Sequence, residues 1–325
     1  MLVLTSPVNI YYFSGVRLEA YERFAALILC SDRAVFVAPK LDEGRLPGPS
    51  YTYADGEDPA EALRRALRDC GESEIEVDGS TTLRAWEVFR RAFGNVEYKI
   101  ADGYIYERRA VKRPDEVEKI AEAARRIKGA IDEIGAELSR GISEREAAAR
   151  IYLKLVEEGL EPGPILVQFG ENTALPHQGP TDRKLREGDV VIIDVTAAYM
   201  GYYGDITRTF AFKVPPKGFE EVYGAVSEAQ KAAVSAVKPG RRAGEVDEAA
   251  RAVLRARGLD GYFIHRTGHG LGLEFHEAPN IAPGDNYVLK AGNVFTIEPG
   301  VYLPGRFGVR IEDDVVVEDG GGRVL

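Results

Sequence analysis

The sequence predicts a two-domain α/β protein: a small α/β domain over residues 1–110, then an α+β domain over 111–325 made of two related halves. Three observations predict it. A length of 325 residues suits about two hydrophobic cores. The first hundred residues alternate short apolar runs with helical patterns. The remainder repeats itself at a nearly constant offset.

In chain order, MLVLTSPVNIYYFSG lacks the basic segment and long apolar run of a signal peptide. FAALILC (24–30) and RAVFVAP (33–39) read as a strand pair across a polar turn. DPAEALRRALRDC (58–70) reads as a helix opened by an aspartate cap, and IEVDG (75–79) as a further strand. ERRAVKRPD (107–115) combines charge with a proline and opens a long amphipathic helix, so the domain boundary is placed there. Cys30 and Cys70 have no zinc-like or disulfide-framework spacing and are expected as small buried hydrophobes.

A formal charge of −10 gives no footprint for nucleic acid or for an anionic membrane surface. The basic runs RRALR (64–68) and RRIK (125–128) fall in helical patterns, as solvated faces do. No apolar stretch approaches the roughly 20 residues that span a bilayer. The expectation is a cytoplasmic protein with neither nucleic-acid nor membrane partner.

The second domain carries the repeat. LREGDVVIID (185–194) matches LKAGNVFTIE (289–298) at four of ten positions, an offset of 289 − 185 = 104. Upstream, GISEREAAARIYLKLVEEGL (141–160) resembles GRRAGEVDEAARAVLRARGL (240–259), both helical and both ending in Gly-Leu. That offset, 240 − 141 = 99, sets His177 in ALPHQG against His276 in LEFHEA. Three segments in the same order indicate a duplicated half-domain.

The repeat ends each strand on an acid, Asp194 and Glu298, and each acid is followed by a turn and a second acid. Counting hairpin midpoints sets Asp194 opposite Asp205, and Glu298 opposite Glu312 about Gly305. VVIID and VFTIE are apolar runs of the buried type, so these acids lie inside the fold. Crowded, buried carboxylates cannot all ionise without counter-charge. Two divalent cations, which activate water for hydrolysis in such sites, offset four negative charges. A nitrogen ligand stands ready in HRTGHGLGLEFHE (265–277), which holds three of the four histidines of the chain. An oxygen-rich set with one imidazole leans towards Mn, Co or Fe, with Zn compatible.

At these residues the sequence resembles the pita-bread metallopeptidases: prolidase (Xaa-Pro dipeptidase), aminopeptidase P and, more distantly, methionine aminopeptidase. TSPVNIYYFSG (5–15) resembles the opening of that family's amino-terminal domain. PHQGPTDRKL, DVTAAYMGYYGDITRTF, HRTGHGLGLEFHE, TIEPGVY and VRIEDD resemble its catalytic motifs in order and spacing. The resemblance implies a pseudo-two-fold pita-bread catalytic domain and two divalent metal ions per subunit. Asp194 would bind the first metal, His269 and Glu298 the second, with Asp205 and Glu312 bridging. Glu298 would also move the proton to the leaving nitrogen. His177 and His276 would contact substrate and Arg310 would orient the site, giving His177, His276, Glu298 and Arg310 as catalytic residues. His265 is expected to be structural or merely substrate-adjacent. Thr196 and Gly204 depart from the family pattern without removing a ligand.

The implied activity is cleavage of Xaa-Pro dipeptides by a homodimer, with aminopeptidase P action on longer peptides as the alternative. The short leading domain favours the dipeptidase, as does a supply of cations for a substrate carboxylate: His177, His276 and Arg310, with Arg266 and Arg306 as further candidates. Metal-free creatinase-like relatives and non-catalytic binding proteins lack some of the five ligands, whereas this chain keeps all five. GHGLG (268–272) lacks the full spacing of a dinucleotide-binding loop.

Overall fold

The computed structural model describes residues 1–71, 74–94 and 97–325, which divide into two compact units, Met1–Arg109 and Ala110–Leu325. In the first unit the elements are β1 (Leu2–Leu4), α1 (Pro7–Ser14), β2 (Ala26–Leu29), β3 (Ala34–Pro39), β4 (Ser50–Tyr53), α2 (Pro59–Cys70), β5 (Ile75–Val77), α3 (Leu83–Phe93), β6 (Tyr98–Ile100) and α4 (Asp102–Ala110). The six strands form one mixed sheet in the order β4-β3-β2-β1-β5-β6.

Side chains alternate across that sheet with period two. Val3, Ala26, Ile28, Val35 and Val37 pack with α2 and α3, while Leu2, Leu4, Leu27, Phe36 and Ala38 join Ile10 of α1 and Ile105 of α4. Both faces are therefore covered, which is why these strands read as continuous apolar runs. FAALILC and RAVFVAP form the antiparallel pair β2–β3. The Asp58 side chain caps α2 by accepting from Ala60 N at 3.0 Å, and Pro59 follows in the first turn.

Cys30 and Cys70 correct the sequence reading, because the two are joined as a disulfide. One follows β2 and the other ends α2, and their Cα atoms stand 5.5 Å apart across 40 residues of sequence. No local spacing announces such a pair. A cross-link closing a loop of that size stabilises by about 4 kcal/mol in the chain-entropy account. Replacing both cysteines by alanine should therefore lower the unfolding midpoint of this domain in a denaturant titration. Two thiols per chain found by alkylation under non-reducing denaturation would overturn the assignment.

In the second unit the elements are α5 (Pro114–Glu137), α6 (Glu144–Glu157), β7 (Glu161–Phe169), β8 (Val190–Tyr199), β9 (Tyr202–Ala211), α7 (Phe219–Ala236), α8 (Ala243–Ala256), β10 (Gly268–Gly270), β11 (Glu277–Ile281), β12 (Val294–Ile297), β13 (Gly300–Leu303), β14 (Phe307–Arg310), β15 (Asp313–Glu318) and β16 (Gly321–Val324). They form a three-stranded sheet β7-β8-β9, a five-stranded sheet β11-β10-β12-β15-β16 and the hairpin β13–β14.

The duplication appears as two cores. One holds residues 123–212, with α5 and α6 on β7, β8 and β9; the other is built by α7 and α8 on β12 to β15. α6 opens on a capping box in which Ser143 and Glu146 bond reciprocally. Alternation again decides orientation. Val191, Ile193 and Val195 of β8 enter the helix-side core, so Asp194 projects from the opposite face. In β12 and β15, Phe295, Ile297, Val315 and Val317 do the same, leaving Glu298, Glu312 and Asp314 on the opposite face. No helix among the described residues is long and apolar enough to cross a membrane.

Candidate metal and peptide site

The acids reach the site from two hairpins. In the first, Asp194 pairs with Thr207 and Asp205 with Thr196. This corrects the direct opposition of Asp194 and Asp205 expected from the midpoint count. The turn is the two-residue Met200–Gly201, both at positive φ (50° and 82°), which moves the midpoint one residue along. The two acids are instead diagonal neighbours on one face, with Cα atoms roughly 7–8 Å apart in such pairs. In the second hairpin the expected register about Gly305 is the observed one. Gly300 pairs with Arg310, and Ile297 with Asp313, so Glu298 and Glu312 fall opposite each other between the two ladders.

His269 sits at the middle of β10, flanked by β11 and β12. Its glycine neighbours answer to backbone crowding. A Cβ on Gly268 would meet Thr296 O at 1.8 Å, and one on Gly270 would meet Ala278 O at 2.2 Å. The His269 and His276 rings lie 3.9 Å apart, centroid to centroid. A buried ion pair, Lys112 Nζ to Glu277 Oε1 at 2.7 Å, ties down the residue after His276.

Ligand atoms of Asp205, His269 and Glu312 lie within 4.8 Å of one another, all three residues being buried. His269 Nδ1 contacts the carbonyl of its neighbour Gly270 at 3.3 Å, and burial holds the ring well below its ordinary pKa, hence neutral. A carbonyl only accepts, so Nδ1 carries the proton. The lone pair on Nε2 therefore faces Asp205 Oδ2 at 3.9 Å and Glu298 Oε1 at 3.4 Å. Burial, and then the charges of their acidic neighbours, push Asp205 and Glu298 well above the carboxylate range. Glu312 is pushed up to about 8 by burial first and by Asp194 next. Asp205 Oδ1 is buried with no hydrogen-bond partner among the described residues. Acceptors facing acceptors, one of them orphaned, form a donor set suited to divalent cations.

Arg310, also buried, supplies countercharge. It donates to Asp194 Oδ2, to Thr207 Oγ1 at 3.2 Å and to the Tyr302 hydroxyl at 2.9 Å. Thr207 in turn donates to Glu312 at 2.6 Å. His265 lies behind this arginine. Its Nδ1 donates to Arg266 O at 2.7 Å, and its Nε2 accepts from Tyr302 at 2.8 Å. Burial lowers its pKa to about 4, so the accepting form persists at neutral pH.

Arg266 acts electrostatically on His269, His276 and Glu298. Arg306 does not join the cluster. It bonds Lys217 O at 2.9 Å and lines an open cavity of about 610 Å³ with Asp189 and Phe307, which removes it from the candidate anion anchors. His177 acts on both His265 and His276 and is itself exposed. Tyr302, Thr207 and Asp247 escaped sequence reasoning. Asp247, buried in α8, accepts from Thr267 N and Oγ1 and pairs with Arg251, which donates to His265 O. None of these residues carries a spacing signal of its own, although Thr207 lies inside DVTAAYMGYYGDITRTF, Tyr302 ends TIEPGVY and Asp247 falls in the repeated segment 240–259.

A two-part fold with buried acids and imidazole converging between hairpins defines a metal-dependent hydrolase. Residues 118–319 match the model of metallopeptidase family M24, and residues 1–111 that of the creatinase/prolidase N-terminal domain. The chain belongs to metallopeptidase family M24 and has its pita-bread architecture. It is 36% identical over 329 residues to the putative dipeptidase YkvY of Bacillus subtilis, covering 98% of this chain and 90% of that one. Among solved structures it is similar to dipeptidase PepE from Mycobacterium ulcerans (37% identity, TM-score 0.91, 99% and 90% of the two chains). It is likewise similar to a prolidase from Thermococcus sibiricus (36% identity, TM-score 0.93, 99% and 91%).

Proposed function

We propose that this metallopeptidase is an Xaa-Pro dipeptidase with two divalent cations held by Asp194, Asp205, His269, Glu298 and Glu312. The observation that carries the reading is the neutral imidazole of His269 facing the carboxylates of buried Asp205 and partly buried Glu298, with an orphaned Asp205 oxygen beside them. Asp194 would hold one ion, His269 and Glu298 the other, and Asp205 and Glu312 would serve both. Bound there, the cations supply Lewis acidity towards the scissile carbonyl and lower the pKa of water.

The protein's own residues do the rest. The nitrogen of the scissile bond, like any amide nitrogen, leaves as an amine only after receiving a proton. Glu298, a carboxylate when the cations are held, would take a proton from water and hand it to the proline nitrogen. His276 and His177 face the peptide and stabilise the oxygen that gains charge. Arg310, fixed between Asp194, Thr207 and Tyr302, keeps the carboxylates aligned.

Dipeptide preference follows from cations near the cleaved bond. A dipeptide ends in a carboxylate close to that bond, and Arg266 is the guanidinium whose charge reaches His276 and Glu298 from outside the acid cluster. A hydrogen bond to a charged group contributes roughly 1.5–3 kcal/mol, or about 10- to 150-fold in rate. Methionyl-proline should be cut well, its C-terminal amide poorly, and Met-Pro-Ala more slowly than the dipeptide. If the tripeptide is cleaved at Met-Pro with the higher kcat/KM, the enzyme is an aminopeptidase P instead. A homodimer belongs to the same reading, and light scattering on the purified protein checks it.

A further inference from the structure

His177 stands on a segment that is exposed, yet its backbone is gripped from beneath. Residues 175–178 form a β-turn closed by Gln178 N to Leu175 O at 3.0 Å, with Pro176 and His177 at the two central positions. Gln168 lies under the turn. It belongs to β7, is fully buried, and pairs with Ile192 on β8, so its side chain shares the sheet face of Asp194. Its Nε2 donates to Leu175 O and to Gln178 O, both at 2.8 Å. Those are the carbonyls at the two corners of the turn. Carbonyls only accept, so this fixes the amide orientation and commits both of its protons.

The ends of the same segment are held separately. Buried Glu144 accepts from Asn172 Nδ2 at 2.9 Å and from Thr181 N at 2.8 Å. Thr173 Oγ1 accepts from Gly308 N at 2.8 Å. Gln168 is thus not needed to keep the segment attached. Its own Oε1, moreover, is buried with no partner among the described residues. A buried amide kept only for structure is ordinarily satisfied at both ends, so an orphaned acceptor asks for a reason.

We propose that Gln168 is the positioning residue for His177, setting where the imidazole meets the peptide. This rests on the substrate-contacting role given to His177 above. Its physical content is that both donors hold the two corners of one turn, so losing them lets the ring drift. Misplacement by about 1 Å typically costs about 100-fold in rate.

The test is a double-mutant cycle on the metal-loaded enzyme with methionyl-proline, comparing wild type, His177→Ala, Gln168→Met and the double variant. Methionine keeps the length of the side chain and removes both donors. Gln168→Met should lower kcat/KM about 10- to 100-fold, dividing the loss between kcat and KM as His177→Ala does. In the His177→Ala background it should cost less than about threefold further. Metal content and melting temperature report on the scaffold and should stay near wild type for Gln168→Met. Gln168→Glu, which keeps the size but turns a carboxylate towards the two carbonyls, repeats the test if the methionine variant does not fold.

The same fold-loss in both backgrounds would mean a general structural role and overturn the proposal, as would wild-type kinetics for either Gln168 variant. A His177→Ala enzyme with unchanged kinetics would instead sink the role of His177 on which the proposal stands.

Discussion

Glu298→Gln is expected to lower kcat by two to four orders of magnitude, the range one general acid–base group typically supplies, about 10²–10⁴-fold. The substitution keeps the shape of the side chain and removes both the charge proposed to hold a cation and the carboxyl proposed to carry the proton. His269→Ala should be as damaging for a different reason. It removes the one nitrogen of the proposed ligand set, the imidazole that faces both Asp205 and Glu298. Metal content measured beside turnover separates the two: His269→Ala should lose bound metal, while Glu298→Gln retains more metal than activity. His265→Ala should cost far less than either, because that ring reaches the acids only through Tyr302 and Arg310. A larger loss for His265→Ala than for His269→Ala would show that the roles within the histidine cluster are assigned wrongly.

That cluster also shows what a sequence displays. The buried acids were legible because VVIID and VFTIE are unusual surroundings for a carboxylate, and because the repeat set one against the other. The second register was legible because the three-residue turn around Gly305 is symmetric about its glycine. The first was missed by one position of the midpoint. The cue was available in Met200–Gly201, since glycine at the second place of a two-residue turn favours positive φ. What stayed hidden is held by contacts distant in sequence. Cys30 and Cys70 meet across 40 residues. Arg310 meets Asp194 across 116, and Gly308 meets Thr173 across 135. Gly204, a departure from the family pattern, is a packing requirement of this kind: a Cβ there would stand 2.8 Å from Ala124 N in α5. Local patterning reports which face a residue takes. It does not report which distant residue it meets there.

Stripping metal should abolish activity, with Mn or Co restoring it, and should also reverse how stability responds to pH. The sign follows from the acids. Burial and mutual repulsion raise Asp205, Glu298, Glu312 and Asp314 in the folded chain, Glu312 from 4.5 to about 8. Between those values the metal-free folded protein binds more protons than the unfolded chain, so its stability is greatest below the unfolded pKa and falls as pH rises through the folded one. One such group accounts for on the order of 5 kcal/mol over that window if it titrates alone, and less when its neighbours share the protons. Cation binding requires the deprotonated ligands and therefore strengthens over the same interval. The melting temperature of chelator-treated protein should accordingly drop between pH 5 and pH 8, while the increment produced by adding Mn grows. Calorimetry on stripped and loaded samples at both pH values decides it. An increment that stays constant or shrinks with pH would mean the acids do not hold the cations, and full activity in protein that elemental analysis finds free of metal would remove the dinuclear mechanism altogether.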